Sequence, residues 1–187
     1  MKIIRYFLLL GLTISALGLG FIYSGLYPMG ADNRHNAVTY WLLETMREKS
    51  IARSSSDIDV PDLSSPDLLL AGGADYNDMC SGCHLQPGIS ESDLSVGLYP
   101  SPPNLASALD EHGHEHKSQV KNDDISRRNF WIIKHGIKAS GMPAWGPTHS
   151  DDRIWAMVAF LNKLPELSAE QYLIITARAE NAMTQHD

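Results

Sequence analysis

The chain opens on one unbroken apolar stretch and then turns to shorter amphipathic segments separated by proline- and glycine-rich breaks. After Met1-Lys2-Ile3-Ile4-Arg5 no charged residue occurs until Asp32. Residues 6–27 are therefore long and apolar enough to form a spanning helix, which needs about 20 residues. A cleaved leader is the competing reading, with Ala16-Leu17-Gly18 as a small-residue cleavage site. The apolar run continues through Phe21, Ile22 and Leu26, further than a leader needs, so an uncleaved anchor is expected. Lys2 and Arg5 would then stay on the cytoplasmic side, and everything after Pro28 on the far side.

Beyond that stretch the apolar positions recur at helical spacing. Residues 36–51 read as a short amphipathic helix, with Val38, Trp41, Leu42 and Met46 on one face and Glu44, Arg47 and Glu48 pointing away. Residues 57–66 hold two prolines among small and acidic residues and read as a linker. Ser65-Pro66-Asp67 starts a helix running to about Met79: a capping hydroxyl, a proline at the first helical position, and an acid at the positive end of the dipole. Residues 86–122 are loop-rich, because Tyr99-Pro100-Ser101-Pro102-Pro103 lacks the donors a helix requires. Residues 124–135 form the next helix, with Phe130 and Ile133 on its apolar face, Ile137 continuing that line, and Gly136 as its stop. After a loop at 138–148, Ser150-Asp151-Asp152 caps a helix whose apolar face is Ile154, Met157, Val158, Leu161 and Leu164, ended by Pro165. Ser168 and Gln171 make a capping box opening a last helix to about Met183. No stretch alternates as a strand does, and no internal repeat occurs, so the expected class is all-α.

Charge narrows the partners. The net charge is −7 with no long basic run, which argues against nucleic acid and suits a basic protein partner instead. The two cysteines leave no disulfide framework, because they sit together in Cys80-Ser81-Gly82-Cys83-His84. That spacing is the signature of covalent haem attachment: the thiols add to the two vinyl groups, and the adjoining imidazole falls beneath the iron. A thiol–disulfide motif would want a strand–helix context, and a zinc site four ligands; the sequence shows no such context and no second cysteine pair.

With that motif the chain resembles the class I cytochrome c family over about residues 67–164. It resembles more closely the membrane-anchored bacterial monohaem cytochromes with a Gly-Met-Pro-Ala-Trp segment, here Gly141-Met142-Pro143-Ala144-Trp145. Gly72 and Tyr76 look like the family's glycine–aromatic pair on the helix that crosses the C-terminal helix, with Met157 and Phe160 on the other side of the crossing. The resemblance implies one covalently bound haem c held by Cys80 and Cys83, with His84 and Met142 as axial ligands. Met142 lies among helix-incompatible neighbours, whereas Met157 sits on an apolar helix face and reads as core. His135 and His149 are the rival ligands. Pro103-Asn104-Leu105 is similar to the family element whose proline carbonyl accepts from the axial histidine, although Pro102 or Pro87 could fill the role. Trp145 either reaches a haem propionate with its indole N–H or simply packs.

Three histidines, His112, His114 and His116, alternate with carboxylates and could hold a transition metal; the plainer reading is a solvated loop. The expected organisation is a membrane anchor or leader at 1–30, an amphipathic helix and linker at 31–64, a haem domain at 65–166 and a helical tail at 167–187. The expected function is electron transfer between protein partners by a cytochrome tethered to a bacterial inner membrane with its haem in the periplasm. A cytochrome subunit of a larger oxidoreductase and a haem-based ligand sensor are the alternatives. An iron with both axial positions filled has no open site, so the chain is expected to carry electrons and not to be an enzyme by itself.

Overall fold

Five helices among the described residues start where a side-chain oxygen accepts from a free N–H group of the first turn. The computed structural model describes residues 2–107 and 122–177, so His112, His114 and His116 lie outside the described residues. Among the described residues there are helices and turns and no strands.

Two compact units divide between Arg34 and His35. The first contains helix α1, Lys2–Ser24, which has no buried residue and is the one described helix long and apolar enough to cross a membrane. Its length and composition are consistent with membrane anchoring.

The second unit begins with α2, Ala37–Ser55, capped by Asn36, whose side chain accepts from the Thr39 N–H at 3.0 Å. The helix outlasts the expected end at residue 51. Val38, Trp41, Leu42 and Met46 are all exposed, while Ile51 and Ser55 are the buried positions, set against α6, Asn122–His135. The residues expected to form a linker also pack. Ile58, Val60 and Leu63 lie half-buried against the cluster of Phe130, Ile133, Ile154 and Trp155, and Arg127 of α6 donates to the Ser56 carbonyl at 2.9 Å. Prolines bar a helix here, but they do not prevent an extended segment from laying spaced apolar side chains on a core.

The centre of the unit is the crossing of α3, Pro66–Met79, with α7, Asp151–Leu161. Gly72 makes it possible: a Cβ there would overlap the carbonyl oxygen of Ala156, and one at Gly73 would crowd the Phe160 ring. Tyr76, 1% exposed, packs beside Phe160 with ring centroids 5.3 Å apart. Asp75, also buried, takes both Nε and Nη2 of Arg153 at 2.6 and 2.8 Å, a bidentate pair tying α3 to α7. Phe130 of α6 stacks on Trp155 at 4.1 Å.

Two boundaries differ from the sequence pattern. Leu164 is fully buried but belongs to a 3-10 turn, Leu164–Glu166, because α7 already stops at Leu161. The last described helix, labelled α8 (Ala169–Thr176), has the expected Ser168–Gln171 capping box and ends before Ala177, whose backbone is extended; the expected end near Met183 lies outside the described residues. Tyr172 explains its position: it is buried against Tyr76 and donates to the Asn77 side chain at 3.0 Å. Two short helices complete the set, α4 at Ser81–His84 and α5 at Asp93–Gly97.

Candidate cofactor site

Helix α3 ends at Met79, and Cys80 caps it while starting the next turn. The N–H groups of Cys83 and His84 both donate to the Cys80 carbonyl, at 3.1 and 2.8 Å, which winds Cys80, Cys83 and His84 into one tight turn. The turn stops at Leu85, a buried leucine held at φ 67° and ψ −178°, a region populated essentially by glycine that costs other residues about 1–3 kcal/mol. What holds it there is Tyr76, whose hydroxyl donates to the Leu85 carbonyl at 2.6 Å and reaches the His84 carbonyl at 3.2 Å. Sequence reading found Tyr76 as a packing residue and missed this second task.

The His84 ring is oriented from the other side of the cavity mouth. Its Nδ1 lies 2.9 Å from the Pro103 carbonyl, and not from Pro102 or Pro87. A carbonyl only accepts, so Nδ1 carries the proton and Nε2 keeps its lone pair. Burial pushes the His84 pKa down, with the Pro103 bond opposing in part, so the ring is neutral and available as a ligand. The Leu105 N–H donates to the His84 carbonyl at 3.1 Å and closes this wall.

The methionine loop is built differently. Helix α6 ends at His135, and its last carbonyls are taken by returning backbone: Trp145 N–H to Ile133 at 3.0 Å and Gly146 N–H to Lys134 at 2.9 Å. Between these clips the Ile137 N–H donates to the Met142 carbonyl at 3.1 Å, and the Met142 N–H donates to the Ser140 hydroxyl at 3.1 Å. Gly136, at φ 64°, is where the chain turns, and a Cβ there would run into the backbone of Met142, Pro143 and Ala144. Met142 is half-buried against the core cluster.

These pieces enclose a mainly apolar cavity of about 230 Å³. Cys80, Cys83, His84, Pro103, Met142 and Trp145 all line it. His135 and His149 do not. His135 is exposed and lies 4.9 Å from the Trp131 ring, and His149 lies 5.1 Å from the Trp145 ring with its Nδ1 2.8 Å from the Thr148 hydroxyl. Burial pushes the Cys80 thiol up to about 12, with Asp75 and Cys83 adding to the effect. A thiol held so firmly protonated is the reverse of what a thiol–disulfide catalyst uses. The donor set fits a haem: an imidazole whose Nδ1 is engaged by Pro103, a thioether and two thiols, all lining one mainly apolar cavity. Among the described residues no cluster of His, Cys, Asp and Glu could hold a separate metal ion.

Sequence reading did not find Arg47, Ile51, Leu98 and Arg128 on the cavity wall. None stands in a recognisable motif, and no local signal brings α2 and α6 to the same cavity.

An all-helical unit in which α3 and α7 cross at a glycine, with a Cys-x-x-Cys-His turn directly after α3, is a class I c-type cytochrome. The comparisons with known proteins then specify the family. A family model described as cytochrome c oxidase, cbb3-type, subunit III matches residues 67–161, just over half of the chain, and the chain belongs to that family. Membership brings haem binding and electron transport. No curated protein and no solved structure matches the chain.

Proposed function

We propose that this chain is a monohaem electron carrier. Cys80 and Cys83 attach one haem c covalently, His84 and Met142 ligate its iron, and residues 6–27 tether the protein to a bacterial inner membrane with the haem in the periplasm. The haem supplies a one-electron couple, and the residues around it decide how it is used. His84, fixed by Pro103, presents Nε2; Met142 fills the opposite position with a soft thioether, which favours the ferrous state and raises the potential. The apolar wall keeps water away. The carrier accepts electrons from a quinol-oxidising complex or a periplasmic dehydrogenase and passes them to a terminal oxidase or reductase.

The observation that carries the reading is that His84 and Met142, far apart in sequence, line one cavity with both cysteines. The test uses the reduced protein under carbon monoxide. The wild type is expected to keep its Soret band at neutral pH, and Met142→Ala to bind carbon monoxide and titrate at a lower potential. A prompt Soret shift in the wild type would favour the ligand-sensor reading instead.

One observation favours a second reading, a cytochrome subunit of a larger oxidoreductase: the exposed apolar side chains Val38, Trp41, Leu42 and Met46 of α2. A stoichiometric partner that co-purifies from solubilised membranes, and is lost when Trp41 and Met46 become Ser, would establish it.

A further inference from the structure

Helix α2 precedes the region matched by the family model, yet two of its side chains, Arg47 and Ile51, line the cavity beside His84 and Met142. Ile51 is 2% exposed and forms part of the wall. Arg47 is paired within its own helix, Nη2 to Glu44 at 2.5 Å and Nε to Glu48 at 3.3 Å. The same Glu48 carboxylate accepts from Nη2 of Arg128 on α6 at 2.9 Å, and Arg128 also lines the cavity. Burial alone would raise the Glu48 pKa; the Arg128 hydrogen bond and charge, with Arg47 behind them, outweigh it and hold the carboxyl below its usual range. Glu48 therefore remains an anion that bridges two guanidinium groups from two helices.

Two cations on the wall of a mainly apolar cavity need a purpose. A guanidinium offers five N–H donors in a planar fork, and the bonds named use only some of them. Its geometry matches a carboxylate, singly or in pairs. A haem is an apolar plate with two propionate carboxylates on one edge. We infer that Arg47 and Arg128 form a clamp for that carboxylate edge, that Glu44 and Glu48 orient the two guanidinium groups, and that α2 is consequently part of the haem site. The inference rests on the haem reading above and adds an element from outside the family region. It also explains how a helix with an exposed apolar stripe is nevertheless docked: its polar side and Ile51, and not the stripe, face the cavity and α6.

A cation beside the haem disfavours the ferric state, which carries one more positive charge, and an anion favours it. The test is a spectroelectrochemical titration of the full-length, detergent-solubilised haem protein at low salt, comparing Arg47→Gln, Arg128→Gln, Glu48→Gln and Arg53→Gln. Arg53 is exposed on the same helix and does not line the cavity, so its variant removes the same charge elsewhere. The expected result is a lower midpoint potential for Arg47→Gln and Arg128→Gln, a higher one for Glu48→Gln, and no shift for Arg53→Gln. Opposite signs separate the clamp from mere loosening of the fold, which would move all three rim variants the same way. Rim variants that titrate with Arg53→Gln, or a Glu48→Gln variant that falls with the arginine variants, would overturn it. Haem staining on a denaturing gel checks the parent reading on its own: an unstained wild type would remove both, whereas a stained wild type with unmoved potentials would remove only the clamp.

Discussion

On the histidine side of the cavity a short contiguous segment, residues 76–85, carries the thiols, the imidazole and the tyrosine that pins the turn, and one distant carbonyl at Pro103 completes it. On the methionine side the local ties on Met142 are the Ser140 hydroxyl and the Ile137 N–H. Its loop hangs from the last carbonyls of α6 through Trp145 and Gly146, and its path depends on a left-handed glycine. The first wall is a turn braced by a helix crossing; the second is a backbone clip. Rigidity in the first comes from close packing, where even one methyl group is felt. In the second it comes from a few hydrogen bonds, each with a modest net contribution of about 1 kcal/mol.

The difference sets an order of effects. Gly72→Ala should be the most damaging, because the added Cβ meets the Ala156 backbone and no flexible side chain can yield. A loss of about 3 kcal/mol or more in urea denaturation is expected, at the upper end for overpacking. A loss under about 1 kcal/mol would show that the crossing has slack and that the two walls are not built so differently.

Gly136→Ala comes next. The left-handed backbone costs about 1–2 kcal/mol for a residue with a Cβ, and contact with the loop backbone adds to it. The strain falls on the methionine loop, so the reduced protein should also admit carbon monoxide more readily than the wild type. Unchanged carbon monoxide exclusion at reduced stability would mean that the loop is held by more than its α6 clips.

Tyr76→Phe should be the mildest. It removes the hydroxyl that satisfies the buried Leu85 carbonyl and leaves the ring against Phe160, for a loss of about 1–2 kcal/mol. Its readout is equilibrium unfolding together with the haem spectrum, which should stay intact because Pro103 still holds His84. A spectrum resembling that of Met142→Ala would reverse the comparison and make the histidine side the weaker one.

Much of this was readable from residue order. Cys80, Cys83 and His84 stand at the spacing that the proposed attachment and ligation require, since both would use one turn of chain. Helix starts at Ser65, Ser150 and Ser168 follow from hydroxyls that accept from the first turn. Gly72 and Tyr76 stood out only as members of a family pattern, and the crossing they make is present. Pattern reading stopped short at the first helix after the apolar stretch. Val38, Trp41, Leu42 and Met46 make a convincing stripe, but periodicity shows only that side chains share a face and not that anything covers it. It failed at Ile58, Val60 and Leu63, where prolines and acids masked an extended segment that packs.

By itself, then, the sequence determined the helical class, the haem-binding family and the local turns, because each depends on neighbours within a few residues. Tertiary structure alone decided which proline carbonyl meets His84, how the methionine loop is hung, the buried Asp75–Arg153 pair, and the meeting of Arg47 with Arg128 across Glu48. These are contacts between segments distant along the chain. Their partners are chosen by how helices dock, and no spacing along a single helix encodes them.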